Sequence, residues 1–237
     1  MVSSKYISGK LIKNIKRSSD VESFRFTTEE KIDFIPGQFL KVIFDKDNPN
    51  NKELNKYLSI SSSPTKDYIE VTKKLTGSTF SQKLKSLNID DKLSFQGPLG
   101  QCTFSSKYKK ISFLIGGIGI TPVISIIEYI IDKKLDTDVV LLYSNRNYEI
   151  PFKNELDEWE KADNIKVYYT VTDCEPKDDK CMYGLIDKEV VLQKVNDWPQ
   201  RIFFVFGPQG MINTMKKICF DVGCEISNIK TEVFAGY

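Results

Sequence analysis

Two different hydrophobic periods divide the chain. Up to residue 95 the apolar residues come in short, largely alternating runs, Tyr6–Ile15, Val21–Phe26, Phe39–Phe44, Leu58–Ile60, Tyr68–Val71 and Lys92–Phe95, broken by polar clusters such as Asp47-Asn48-Pro49-Asn50-Asn51. A two-residue period over short segments marks half-buried strands. Many short strands with a single helix predict a small antiparallel barrel. That helix begins after Gly77-Ser78-Thr79-Phe80-Ser81 and runs through Gln82–Leu87. Ser78 or Thr79 can cap it, and its free N–H groups, hydroxyls and positive dipole end suit either a simple cap or a phosphate.

From Lys110 the period changes. Strands over 111–115, Val139–Tyr143, Ile165–Val171 and Ile202–Phe206 alternate with helices over 122–131, Phe152–Lys161, Asp187–Leu192 and Gly210–Val222, and Ile229–Phe234 closes the series as a last strand. Such βα alternation predicts a parallel sheet covered by helices, with ligands at the carboxyl ends of the strands. The most telling stretch is Ile111–Pro122, where an apolar run enters Gly116-Gly117-Ile118-Gly119 and then a helix. Glycines there allow amide N–H groups and a helix N-terminus to approach a diphosphate, although a ligand-free connection has the same composition. Pro122 suits a first helical turn. The fold expected is therefore an N-terminal antiparallel β-barrel, residues 1–106, followed by an α/β Rossmann-like domain, residues 107–237, with the boundary near Ser105-Ser106-Lys107.

Composition narrows the chemistry. The chain has 237 residues, 41% of them hydrophobic and 28% charged, the profile of an ordinary soluble protein, and no apolar run approaches the roughly 20 residues of a membrane span. The N-terminus lacks the apolar core of a secretory signal, so a cytoplasmic protein is expected. With no histidine in the sequence, zinc sites and a Ser-His-Asp triad are disfavoured. Cys219 and Cys224 have one spacing of a plant-type iron–sulfur site, but nothing continues it, so no metal is expected. Residues 1–106 carry 17 basic against 12 acidic side chains, and the remainder 17 against 20. No nucleic-acid motif accompanies that bias, which fits a solvated surface or a docking face for an acidic protein partner.

Eight motifs occur in an order that resembles the ferredoxin-NADP reductase superfamily: Pro36-Gly37-Gln38-Phe39, Lys56-Tyr57-Leu58-Ser59 through Pro64, Gly77–Ser81, Gly97-Pro98-Leu99-Gly100, Gly116–Pro122, Tyr143-Ser144-Asn145-Arg146, Phe206–Met211 and Glu232–Tyr237. The resemblance spans nearly the whole chain and implies a flavin-binding barrel, a nicotinamide-nucleotide domain and hydride passage between them. It implies FAD ahead of FMN, and NADPH or NADH. In the family's R-x-Y-S motif the arginine holds the flavin phosphates, the tyrosine packs on the ring and the serine sits near N5; those places fall on Lys56, Leu58 and Ser59. Two of the three differ from the pattern. Lysine keeps the charge and loses the bidentate fork, and leucine offers apolar contact without stacking. Tyr57 is not expected to replace it, because neighbouring strand residues point to opposite faces.

The same resemblance implies flavin contacts at Ile60, Thr72, Gly77, Ser78, Thr79 and Ser81. It implies nucleotide contacts at Gly117, Gly119, Thr121, Pro122, Ser144, Arg146, Gly207, Pro208 and Met211. Ser59 and Glu232 are the candidate catalytic residues, and Phe234 or Tyr237 is expected to cover the flavin until nicotinamide displaces it. Phe206 stands where the family often has cysteine. Arg146 is the candidate cation for a 2′-phosphate and tilts the expectation toward NADPH, unless it pairs with Glu149 or Glu155; no acidic residue that would select NADH is evident there. The activity implied is an FAD-dependent NAD(P)H oxidoreductase delivering electrons to a separate protein, such as a ferredoxin, an oxygenase component or a cytochrome. A direct reductase of flavin or quinone and a non-catalytic nucleotide-binding subunit are the alternatives.

Overall fold

The structure, a computed structural model, describes residues 6–234. The alternating N-terminal segments form β1 (Ile7–Lys16), β2 (Val21–Thr28), β3 (Phe39–Ile43), β4 (Asn55–Ser59), β5 (Ile69–Lys74) and β6 (Lys92–Leu99), with α1 (Thr79–Lys85) before β6. They make one antiparallel sheet in the order β4-β3-β6-β1-β2-β5. Alternate residues turn inward, so Leu11, Phe24, Phe26, Leu40, Val42 and Phe95 are fully buried. Phe80 and Leu84 of α1 join that core. The sheet curls until its two edges meet at a single bridge between Ile60 and Val71, reinforced by Ser61 N–H donating to the Glu70 carbonyl at 2.8 Å. Among the described residues β4 and β5 share no longer ladder, so the barrel has a seam.

The second sheet is wholly parallel. Its strands are β7 (Lys110–Gly116), β8 (Asp138–Asn145), β9 (Ile165–Val171), β10 (Cys181–Tyr183), β11 (Ile202–Gly207) and β12 (Ile229–Val233), in the order β10-β9-β8-β7-β11-β12. Helices α2 (Ile120–Asp132), α3 (Lys153–Trp159), α4 (Lys188–Lys194) and α5 (Gln209–Asp221) separate successive strands, except β9 and β10, which follow each other directly. In β7 Ile111, Phe113, Leu114 and Ile115 are all buried, because both faces of the strand are covered. Ile111, Phe113 and Ile115 pack in a core with Val123, Ile126 and Ile130 of α2; Leu114 packs on the other side with Ile212 and Met215 of α5. The strand order reverses at β7, leaving a crevice between the carboxyl ends of β7 and β11, where open α/β sheets bind ligands. The sequence reading missed β10, whose three residues are too few to show a period.

Polar contacts staple the two sheets together. Ser125 Oγ on α2 donates to the Ser62 carbonyl at 2.7 Å, Ser63 N–H donates to Glu128 Oε2 at 2.7 Å, and Lys66 pairs with Asp132 at 2.9 Å. All three join α2 to the segment just after β4. Among the described residues no helix is long and apolar enough to cross a membrane.

Candidate active site at the domain cleft

A cavity of about 260 Å³ lies between the two sheets, against the barrel seam. β4 supplies Lys56, Leu58 and Ser59, β5 supplies Thr72, and the second domain supplies Thr121, Glu232 and Phe234. Seven residues singled out from the sequence thus line one space. Tyr57 lines it as well, although its exposure differs from that of Leu58 as expected of strand neighbours. β4 is an edge strand, and a cavity running along an edge meets inward and outward side chains alike. Leu58 lies opposite Leu40 in the ladder and is 8% exposed, whereas Tyr57 is 49% exposed and packs edge-on against Phe39, with ring centroids 5.6 Å apart. An aromatic face is therefore present, one residue earlier than the family pattern has it.

The cavity's electrostatics are asymmetric. On the barrel side Lys56 and Lys73 both line it, and burial together with the neighbouring charges of Lys56 and Lys74 pushes the Lys73 ammonium below its ordinary pKa. Two cations crowded beside one cavity favour an anionic occupant. The sequence reading missed Lys73, whose signal, a lysine one residue after Thr72 on the facing edge, becomes legible only once the seam is known. On the opposite side burial raises the Glu232 carboxyl to about 7, and its Oε2 is buried without a hydrogen-bond partner. Cys102, close enough to feel that carboxylate, is pushed up to about 12, chiefly by burial. It is a protonated thiol and no substitute for the cysteine absent at Phe206, which is fully buried and stacked on Phe204.

Phe234 is placed by its N–H, which donates to the Gly207 carbonyl at 2.9 Å, so the end of β12 runs over the start of the Gly207-Pro208 turn. Tyr237 lies outside the described residues. Thr121 is buried at the start of α2, its hydroxyl returned to the Ile118 carbonyl at 3.1 Å. Ile60 is a core residue at the seam bridge, and Pro122 is buried within α2.

The glycine turn sits in the crevice. A Cβ on Gly119 would lie 2.4 Å from the Phe206 carbonyl oxygen, so glycine is required for the β7 and β11 turns to touch. Gly117 has φ +50° with open space around it, and its carbonyl accepts a 3.1 Å hydrogen bond from Tyr143 Oη. Met211 spans the crevice, its sulfur about 3 Å from where a Cβ on Gly116 or Gly207 would stand. A second groove, about 500 Å³, opens beside this turn and takes in Gly117, Ser144 and Arg146. Among the described residues Arg146 pairs with neither Glu149 nor Glu155; Glu149 accepts from Ser19 N–H at 3.0 Å and Glu155 pairs with Arg17. Asp20, from the barrel, also lines the groove, an acidic residue invisible to a search of the second domain alone.

At the start of α1, Ser78 is the N-cap and accepts from Ser81 N–H, while Thr76 Oγ1 lies 3.0 Å from Ser78 Oγ and 3.3 Å from Ser81 Oγ. Thr79 donates to Glu53. A Cβ on Gly77 would meet nothing within 4 Å, so the approach to these hydroxyls is open, although none of them lines the cleft cavity.

These features define a flavin- and nicotinamide-nucleotide-binding oxidoreductase. The model of the oxidoreductase FAD-binding domain matches residues 8–104 and that of the oxidoreductase NAD-binding domain residues 113–217; the chain belongs to the ferredoxin-NADP reductase-like family. NADH-cytochrome b5 reductase 2 of Aspergillus oryzae is 31% identical over 84% of this chain and 64% of its own length. Flavohemoprotein A of Dictyostelium discoideum is 24% identical over 94% of this chain and 58% of its own. The chain spans less than two thirds of both. Among solved structures, the cytochrome b5 reductase domain of Ulva prolifera nitrate reductase superposes with a TM-score of 0.83 at 22% identity, covering 96% of this chain and 97% of that one. A ferredoxin NADP+ reductase from Neisseria gonorrhoeae with bound FAD and NADP gives 0.83 at 18% identity, covering 97% and 98%.

Proposed function

We propose that the protein is an NAD(P)H-dependent FAD reductase that hands electrons to a separate acceptor protein. The observation that carries this reading is the cleft cavity, where barrel residues Lys56, Leu58, Ser59 and Thr72 meet Thr121, Glu232 and Phe234 of the nucleotide domain. FAD, when bound, supplies two-electron acceptance from a nicotinamide and stepwise release to a one-electron acceptor. The chain's own residues do the rest. Lys56 and Lys73 neutralise the cofactor's phosphates, with less angular specificity at Lys56 than an arginine would give. Tyr57 and Leu58 bound the ring on the seam side, and Ser59 offers a hydroxyl at the cavity wall. Glu232 holds or releases a proton near neutral pH on the opposite wall. Phe234 shields the cavity from water until nicotinamide takes its place.

The domains proposed are residues 1–106 for flavin and 107–237 for nucleotide. Arg146, with no ion-pair partner among the described residues, supports NADPH as donor, while the cytochrome b5 reductase relative from Aspergillus oryzae is named for NADH. Relatives named for cytochrome b5 and for flavohemoproteins support a haem protein as the acceptor. The test is the anaerobic absorbance of the purified protein from roughly 350 to 700 nm before and after each nucleotide. A flavin spectrum bleached by NADH or NADPH is expected. Protein that stays colourless after reconstitution with FAD refutes the reading.

A further inference from the structure

The groove beside the glycine turn is built by both domains. Ser18, Ser19 and Asp20, from the turn between β1 and β2, line it together with Gly117, Ser144 and Arg146. The barrel closes the turn through Arg17 N–H on the Val21 carbonyl at 2.8 Å and Leu75 N–H on the Asp20 carbonyl at 2.7 Å, and the second domain adds contacts of its own. Arg17, at its base, has a side chain only 8% exposed. Its Nε donates to Ser23 Oγ at 2.8 Å, one terminal nitrogen pairs with buried Glu70 at 3.0 Å, and the other pairs with Glu155 on α3 of the second domain. Its guanidinium also lies 4.1 Å from the centre of the Phe152 ring, and Phe152 itself has φ +64°, a costly conformation for a bulky residue. Glu70 already has a second partner in Arg25, at 2.6 Å. Burying a further guanidinium is expensive unless it is paired and hydrogen-bonded, and here the third of its nitrogens finds its partner across the domain junction. The turn is pinned a second time by Ser19 N–H on Glu149 Oε2 at 3.0 Å, a contact that holds the Glu149 carboxyl below its ordinary range.

We propose that the β1–β2 turn is a wall of the nicotinamide-nucleotide site and that Arg17 is the positioning residue that keeps it there, so that the nucleotide binds across both domains. The ligand class is an adenosine phosphate. Asp20, paired with Lys74 at 3.1 Å, brings a barrel carboxylate into the groove that holds Arg146, and their balance sets the tolerance for a second phosphate. This inference rests on reading the groove as the nucleotide site.

The experiment uses the full-length FAD-loaded protein, with 5′-AMP and 2′,5′-ADP as probes. Arg17→Lys keeps a charge beside Glu70 but cannot bridge to Glu155; Glu155→Gln removes the same pair from its more exposed end and serves alone if Arg17→Lys does not fold. Both variants are expected to weaken both probes about fivefold or more, an ordinary coupling magnitude. KM for the nucleotide should rise while kcat holds, the pattern of lost uniform binding, with the flavin spectrum unchanged. Asp20→Asn should shift the preference toward 2′,5′-ADP about threefold, a modest change for one partly exposed charge. Wild-type affinity for both probes in folded Glu155→Gln overturns the proposal and leaves the reductase reading intact. A wild-type protein that binds neither probe overturns both.

Discussion

Glu232 is the residue whose chemistry depends most on where the fold puts it. In the sequence it is one acidic residue in a C-terminal strand; in the structure burial raises its carboxyl to about 7. A raised folded pKa means that the native state binds more protons than the unfolded chain between roughly pH 4.5 and 7, so this carboxyl costs stability as pH rises through that window. Glu232→Gln is therefore expected to leave stability unchanged below about pH 4.5 and to raise it above pH 7 by on the order of 1–2 kcal/mol, allowing for solvent at the cavity mouth. Urea unfolding of both proteins at pH 4 and pH 8 checks this, and equal differences at the two pH values would refute it. That Lys56 and Ser59 would lie together was legible because the order of the motif survives the exchange of its arginine for lysine, and both line the cavity. The places of Lys73 and Tyr57 on the same cavity were not, since they follow from the seam, which brings β4 and β5 together.

At the scale of elements, the glycine turn was the most legible part of the chain, because the switch from strand to helix and the three glycines were visible together. The sequence did not distinguish the glycines by role. Gly119→Ala forces a Cβ against a backbone oxygen of β11 and is expected to cost about 2 kcal/mol or more, whereas Gly117→Ala meets open space and carries only the left-handed backbone penalty of about 1 kcal/mol. Thermal unfolding of the two single variants tests the order; a Gly117 variant that proves the worse of the two would contradict this account. β10 and the groove-lining β1–β2 turn escaped the sequence reading for related reasons: the first is too short for a period, and the second belongs by pattern to one domain and by contact to the other.

For the whole molecule, the two periods and the order of motifs revealed both sheets, but nothing in them revealed how tightly the domains are joined. At the junction α2 is fixed to the segment after β4 by Ser125, Glu128 and Asp132, while Cys102 and Phe104 pack into the apolar core of the second sheet. The polar contacts lose less when water returns than a buried apolar face does. Replacing Ser125 with Ala and Glu128 with Gln together is expected to turn a single calorimetric transition into two resolvable ones, the barrel and the α/β sheet melting apart. A single transition retained in the double variant would show that the junction has other support.

The seam has a consequence for the protein's life before it acquires its cofactor. A barrel joined at its edges by the Ile60–Val71 bridge and the neighbouring Ser61–Glu70 bond leaves the rest of β4 and β5 without a ladder between them among the described residues, and sheet edges of this kind invite pairing with another chain. A flavin lying along the seam would cover them. Cells short of riboflavin would then lose this protein to self-association as well as to inactivity, and supply of the vitamin during synthesis would govern how much of it accumulates.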